Sequence, residues 1–140
     1  MTTLFDAANV PRAPLRGGRL AGVSFVFLWF LIGGIAHFTA TPLETTLVPP
    51  YIPDPRAAVR VSGVFELLGA AGLLWYRTRR AAGIGLVFLT LAVTPVHVYM
   101  LQHPERFAVP YGLLVLRLPL QAALLALIAW CLVLDPRRPP

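Results

Sequence analysis

An all-α fold, a bundle of four transmembrane helices running up and down, is predicted for this 140-residue chain by three observations. Hydrophobic residues make up 57% of it and charged residues 13%, and an ordinary soluble domain carries about twice that charge. The apolar residues gather into four runs, Leu20–Phe38, Ala58–Tyr76, Ala81–Leu101 and Tyr111–Leu134, each close to the roughly 20 residues a helix needs to cross the hydrocarbon core. The arginines cluster mainly between and beside these runs, at what become the helix ends.

In chain order, residues 1–19 make a cytoplasmic N-terminal arm whose Arg12, Arg16 and Arg19 lead into the first run. Such a flank suits an uncleaved signal anchor or a cleaved signal peptide. The run closes on "AHFTATP", where Phe38 spoils the small-residue pattern a cleavage site wants before Ala40, so retention is expected. The connection from Thr39 to Ala57 is the longest, and "LVPPYIPDPR" is too rich in proline for a regular helix. It either lies across the mouth of the bundle as a lid or merely spans two helix ends. The second and third runs are separated only by "RTRR", Arg77–Arg80, which makes them antiparallel neighbours. Gly33, Gly34, Gly63, Gly69, Gly72, Gly83 and Gly85 mark faces where helices approach closely in lipid. Pro95 and Pro119 fall inside the third and fourth runs, and each removes one backbone hydrogen bond. Residues 135–140 form a short tail, leaving one membrane domain over residues 20–134.

The formal charge of +6 comes from twelve arginines, with no lysine, against six acids. In a soluble chain that balance would suggest nucleic acid, but these arginines sit at helix ends rather than along one face, so no nucleic-acid partner is expected. Arg12, Arg16, Arg19, Arg77, Arg79, Arg80, Arg137 and Arg138 fall on one side of the bundle. Arg56, Arg60, Arg106 and Arg117 fall on the other, diluted by Glu44, Asp54 and Glu105. The positive-inside rule then puts both termini in the cytoplasm. Trp75, Tyr76 and Trp130 fall near the inner interface and Tyr51, Tyr99 and Tyr111 near the outer one. Cys131 is the sole cysteine, which excludes a disulfide framework within one chain and leaves it as a small apolar filler.

Glu66 interrupts "VSGVFELLGAAGLLW", and a carboxylate in such a run must be met by a partner. Measured from the outer helix ends at the α-helical rise, His37 lies within about 2 Å of the boundary, His97 about 6 Å in, Arg117 about 9 Å in and Glu66 about 12 Å in. Gln121 shares a face with Arg117 one turn away, and Ser62 with Glu66. Two readings follow. In one, Glu66 and Arg117 form a structural ion pair between the second and fourth runs, with the histidines bonded to loops. In the other, His37, Glu66, His97, Arg117 and Gln121 line an outward-opening polar cavity that binds a ligand, with Glu66 and His97 as candidate catalytic groups. A quinone fits that cavity, as does a lipophilic ligand undergoing a proton shift between acid and base. Haem or a metal site is disfavoured, because nothing resembling CxxCH or HxxxH is present. Hydrolase, ATPase and large-transporter readings lack their motifs. A chain this small, with glycine-rich helix faces, is expected to work as a homodimer or as a subunit of a larger membrane complex.

The blocks "GGIAHF" at 33–38, "VPPYIP" at 48–53, "SGVFELLGAAGLL" at 62–74, "RTRRAAGIGL" at 77–86, "TPVHVYM" at 94–100 and "RLPLQ" at 117–121 resemble the DoxX family of small four-helix membrane proteins. The resemblance covers roughly Leu20–Leu134. It implies a bacterial or archaeal cell membrane and a link to quinone-dependent or other membrane oxidoreductase complexes. It also implies shared polar positions at His37, Glu66, Arg117 and Gln121, with Pro95 at the third-helix break. Where relatives are expected to carry "PAN" or similar after that break, this chain has "PVH", so His97 replaces a neutral amide.

Overall fold

The computed structural model describes residue 15 and residues 17–134. The arm and tail expected at the two ends therefore lie largely outside the described residues, with Arg12, Arg16, Arg137 and Arg138 among them. Four long helices follow the four apolar runs: α1 (Gly18–Thr39), α3 (Pro55–Leu74), α4 (Arg79–Gln102) and α5 (Tyr111–Ile128), the last continued by a π-helical turn over Ala129–Val133. A one-turn helix, α2 (Thr41–Thr45), follows α1, and a 3-10 turn (Pro104–Arg106) follows α4. All four long helices are long and apolar enough to cross a membrane.

The helix ends follow local chemistry. Asp54 starts α3 as its N-cap, Oδ1 accepting from the Ala57 amide at 3.0 Å, with Pro55 in the first turn where no donor is missed. At the other end of α3, the "RTRR" turn closes the open carbonyls, Thr78 Oγ1 donating to Gly72 O at 2.7 Å and Arg79 Nε to Leu73 O at 2.8 Å. Thr41 does the same for α1, its hydroxyl donating to His37 O and Phe38 O. The starts of α1 and the end of α5 meet, since Arg19 Nη2 donates to Leu134 O at 3.4 Å and its guanidinium lies over the Trp130 ring. One end of the bundle thus holds the start of α1 and the end of the π-helical turn, the terminal end, and the other holds the connections between α1 and α3 and between α4 and α5, the loop end.

The helices form a ring in which α1 packs on α3, α3 on α4, α4 on α5 and α5 on α1. Consequently α3 and α5 occupy diagonal positions. The apolar core belongs to the terminal half, where Val23, Val26, Phe30, Ala70, Leu73, Leu86, Leu124, Ile128, Cys131 and Leu132 form one cluster. Cys131 fills the space beside Gly22 there. Outward-facing side chains are apolar and open, Ile32 at 65% and Phe88 at 68% exposure, a surface suited to lipid rather than water.

Closer to the loop end the core thins out, and α1 and α3 instead meet backbone to backbone. A Cβ on Gly34 would sit 3.2 Å from Gly63 O, and one on Gly63 would sit 3.2 Å from Gly34 O. Paired glycines let two helices approach more closely than side chains allow. The proline-rich segment crosses the loop end as far as α4: Pro49 is buried and the Tyr51 ring packs edge-on against Tyr99 at 5.6 Å.

Candidate functional site

The close approach of α1 and α3 creates the environment of Glu66. A Cβ on Gly33 would lie 2.6 Å from Glu66 Oε2, so the absent side chain is the space the carboxylate fills. Beside it, His37 in the last turn of α1 presents Nε2 to Glu66 Oε1 at 3.4 Å and pairs through Nδ1 with Glu44 Oε2 on α2. Each ring nitrogen faces a carboxylate, so one imidazole ties together α1, α2 and α3. The sequence puts Glu66 and His37 in one layer, and the structure adds Glu44.

A second network joins α4 to α5. Gln121, buried on α5, donates from Nε2 to Thr90 O at 2.7 Å and to Thr94 Oγ1 at 2.5 Å. A carbonyl oxygen can only accept, so the amide orientation is fixed, and Gln121 Oε1 must accept from His97 Nδ1–H at 2.6 Å. Thr90 Oγ1 in turn donates to Leu86 O at 2.7 Å and Thr94 Oγ1 to Thr90 O at 3.1 Å. Pro95 lies within α4 just after this cluster. The side-chain bonds nearest to it go to Thr90, not to Leu91, whose carbonyl the proline ring releases.

The expected ion pair between Glu66 and Arg117 is not formed. Glu66 belongs to His37, and Arg117 Nη1 donates to the Met100 thioether at 3.7 Å. The cause is topological, since Glu66 is on α3 and Arg117 on α5, the diagonal helices of the ring. The five predicted site residues thus divide into His37 with Glu66, His97 with Gln121, and Arg117 by itself. Among the described residues no buried side-chain nitrogen or oxygen lacks a hydrogen-bond partner. No group of three His, Cys, Asp or Glu side chains among them has the arrangement to hold a metal ion.

Two open grooves mark the surface, and none of the five residues lines either. One, about 540 Å³, runs beside α4 along Leu91, Thr94, Pro95, Val98 and Gln102, under Tyr51 and Tyr99. The other, about 480 Å³, lies between α3 and α4 against Phe65, Leu68, Gly85, Leu86 and Phe88. Both are walled almost wholly by apolar atoms and face the lipid side.

Two parts of this site escape the sequence argument, α2 with its Glu44, and Thr90 of α4, whereas Thr94 is readable as a flank of the His97 turn. The first had a signal, since "TPLE" over residues 41–44 has the Thr-x-x-Glu spacing and early proline of a helix start. Thr90 and Thr94 share one face of a helix with His97, three to four residues apart, which was also readable.

No curated protein and no solved structure matches the chain. A family profile does match, over residues 26–134, a span that takes in most of α1 and all of the other helices. By that match the chain belongs to the family described as a domain of unknown function, DUF8561.

Proposed function

We propose that this is a non-enzymatic accessory or assembly protein of the membrane, whose buried polar networks stabilise the loop half of the bundle. One observation carries the reading: the polar side chains expected to face a ligand are turned onto one another. His37 is held between Glu44 and Glu66, and Gln121 is saturated by His97, Thr90 and Thr94. A binding site usually keeps convergent polar groups in a concave space, whereas the grooves here are walled almost wholly by apolar atoms and meet the networks only at Thr94. The networks also lie where the apolar core is thin, so they supply helix contacts that packing does not.

A second reading draws on the DoxX likeness, which implies a small subunit of a membrane oxidoreductase complex binding a quinone or similar lipophilic ligand. What favours it is Arg117, whose one hydrogen bond goes to a weak thioether acceptor. The two readings part on one experiment. With His97 and Gln121 both replaced by leucine, the accessory reading expects cellular activity to follow the amount of protein in the membrane. Activity or saturable quinone binding lost at wild-type abundance favours the ligand reading instead. Native mass spectrometry from mild detergent, with cross-linking in membranes, is expected to show a homodimer or a partner complex.

The terminal end is proposed to face the cytoplasm, on the arginine excess around Arg19, Arg77, Arg79 and Arg80. In a Cys131→Ala background, a cysteine at exposed Thr46 is expected to react with an impermeant thiol reagent in intact cells, and one at Thr78 to stay unlabelled. The opposite pattern inverts the topology.

A further inference from the structure

Arg117 belongs to neither polar network, and its surroundings are unusual for a half-buried cation in a membrane helix. Its guanidinium reaches Met100, which is 1% exposed and two residues from the loop end of α4. The side chain therefore extends from its own position, about 9 Å below the start of α5, up towards the boundary where lipid head groups begin, as long basic side chains do. Except for the bond to the thioether, its five N–H donors have no acceptor among the described residues.

Of the acids at the loop end, Glu105 in the 3-10 turn after α4 makes no ion pair with Arg117, and the other three have partners of their own. Glu44 and Glu66 face His37, and Asp54 caps α3. Among the described residues no carboxylate oxygen lies within 4.0 Å of Arg117. On the neighbouring α4, His97 shares a face with Met100, and its Nδ1–H is given to Gln121. That bond fixes the ring, which lies within electrostatic reach of the guanidinium, and leaves its Nε2 with no hydrogen bond among the described residues. Gln121, one turn from Arg117 on α5, locks the two helices against each other, so the position of both groups is set by rigid elements.

We propose that Arg117, supported by His97, binds the phosphate of an anionic phospholipid head group at the loop end between α4 and α5. A planar guanidinium matches two phosphate oxygens with parallel N–H bonds, which a thioether cannot replace. The depth fits a lipid, because the head group lies at the boundary while its acyl chains run down the exposed apolar faces of α5, including Leu113, Leu116 and Leu120. This goes beyond the accessory reading and shares with it only the His97–Gln121 bond that positions the site, since Arg117 itself takes no part in the networks.

The test is native mass spectrometry of the full chain released from nanodiscs holding equal phosphatidylglycerol and phosphatidylcholine. Wild type is expected to retain one phosphatidylglycerol with a preference of about tenfold, and Arg117→Gln to lose the preference. Arg56→Gln, an exposed arginine at the same end, is expected to leave it unchanged. Should the glutamine variant not survive purification, Arg117→Lys keeps the charge without the fork and is expected to give an intermediate preference, while full wild-type preference in it counts against the proposal. Equal retention of both lipids by wild type, or undiminished preference in Arg117→Gln, overturns the site. Displacement of the bound lipid by millimolar sodium phosphate overturns the lipid assignment in favour of a free anion.

Discussion

Replacing Gly63 with leucine is expected to destabilise the bundle by about 3 kcal/mol, the upper part of the range for overpacking a tight contact. The first added carbon would already lie 2.7 Å from His37 Cβ and 2.9 Å from Phe38 Cε2. His37 Cβ is fixed to the α1 backbone, so the clash cannot be relieved by turning a side chain, and α1 must move away from α3. That movement would also break the contact between His37 and Glu66, which depends on the same close approach. Gly85→Leu is the matching control, since a Cβ there meets nothing within 4 Å. Unfolding in mixed detergent micelles should separate the two variants, with Gly85→Leu close to wild type.

The second large effect is expected at His37. Its removal takes from two half-buried carboxylates, Glu44 and Glu66, the one imidazole they share. Leaving buried polar groups unsatisfied costs about 1–3 kcal/mol, and more when they are charged. His37→Ala should therefore be more destabilising than Glu66→Ala, after which the imidazole still has Glu44. It should also release α2, which Glu44 anchors, so limited proteolysis of the 40–54 connection is expected to be faster in His37→Ala and in Glu44→Ala than in wild type.

The four membrane helices were legible because hydrophobic run length is a property of single segments. The observed ends differ from the apolar runs by three residues or fewer, except where α5 passes into its π turn. The glycine faces were legible for the same reason except at Gly85, which the sequence counts among them but where a Cβ would meet nothing within 4 Å. The site was legible only in depth. Counting rise per residue places His37, Glu66, His97, Arg117 and Gln121 in the same half, but it says nothing about which helix faces which. Pairing Glu66 with Arg117 by opposite charge assumed adjacent helices, and the ring sets α3 and α5 diagonally. A histidine at the end of α1 proved the nearer partner because Gly34 and Gly63 bring those two backbones together and Gly33 leaves room for the carboxylate. The neutral pair His97 and Gln121 was harder to foresee, since an amide carries no charge to mark its partner.

A double-mutant cycle on stability tests the central claim, that the loop half is held by His37 acting on Glu66 rather than by a pair across the diagonal. His37→Ala and Glu66→Ala are measured singly and together, alongside Arg117→Ala singly and with Glu66→Ala. The account predicts coupling of about 1 kcal/mol or more between His37 and Glu66, and additivity within about 0.5 kcal/mol between Arg117 and Glu66. Additive losses at His37 and Glu66, with coupling appearing between Arg117 and Glu66, would contradict it.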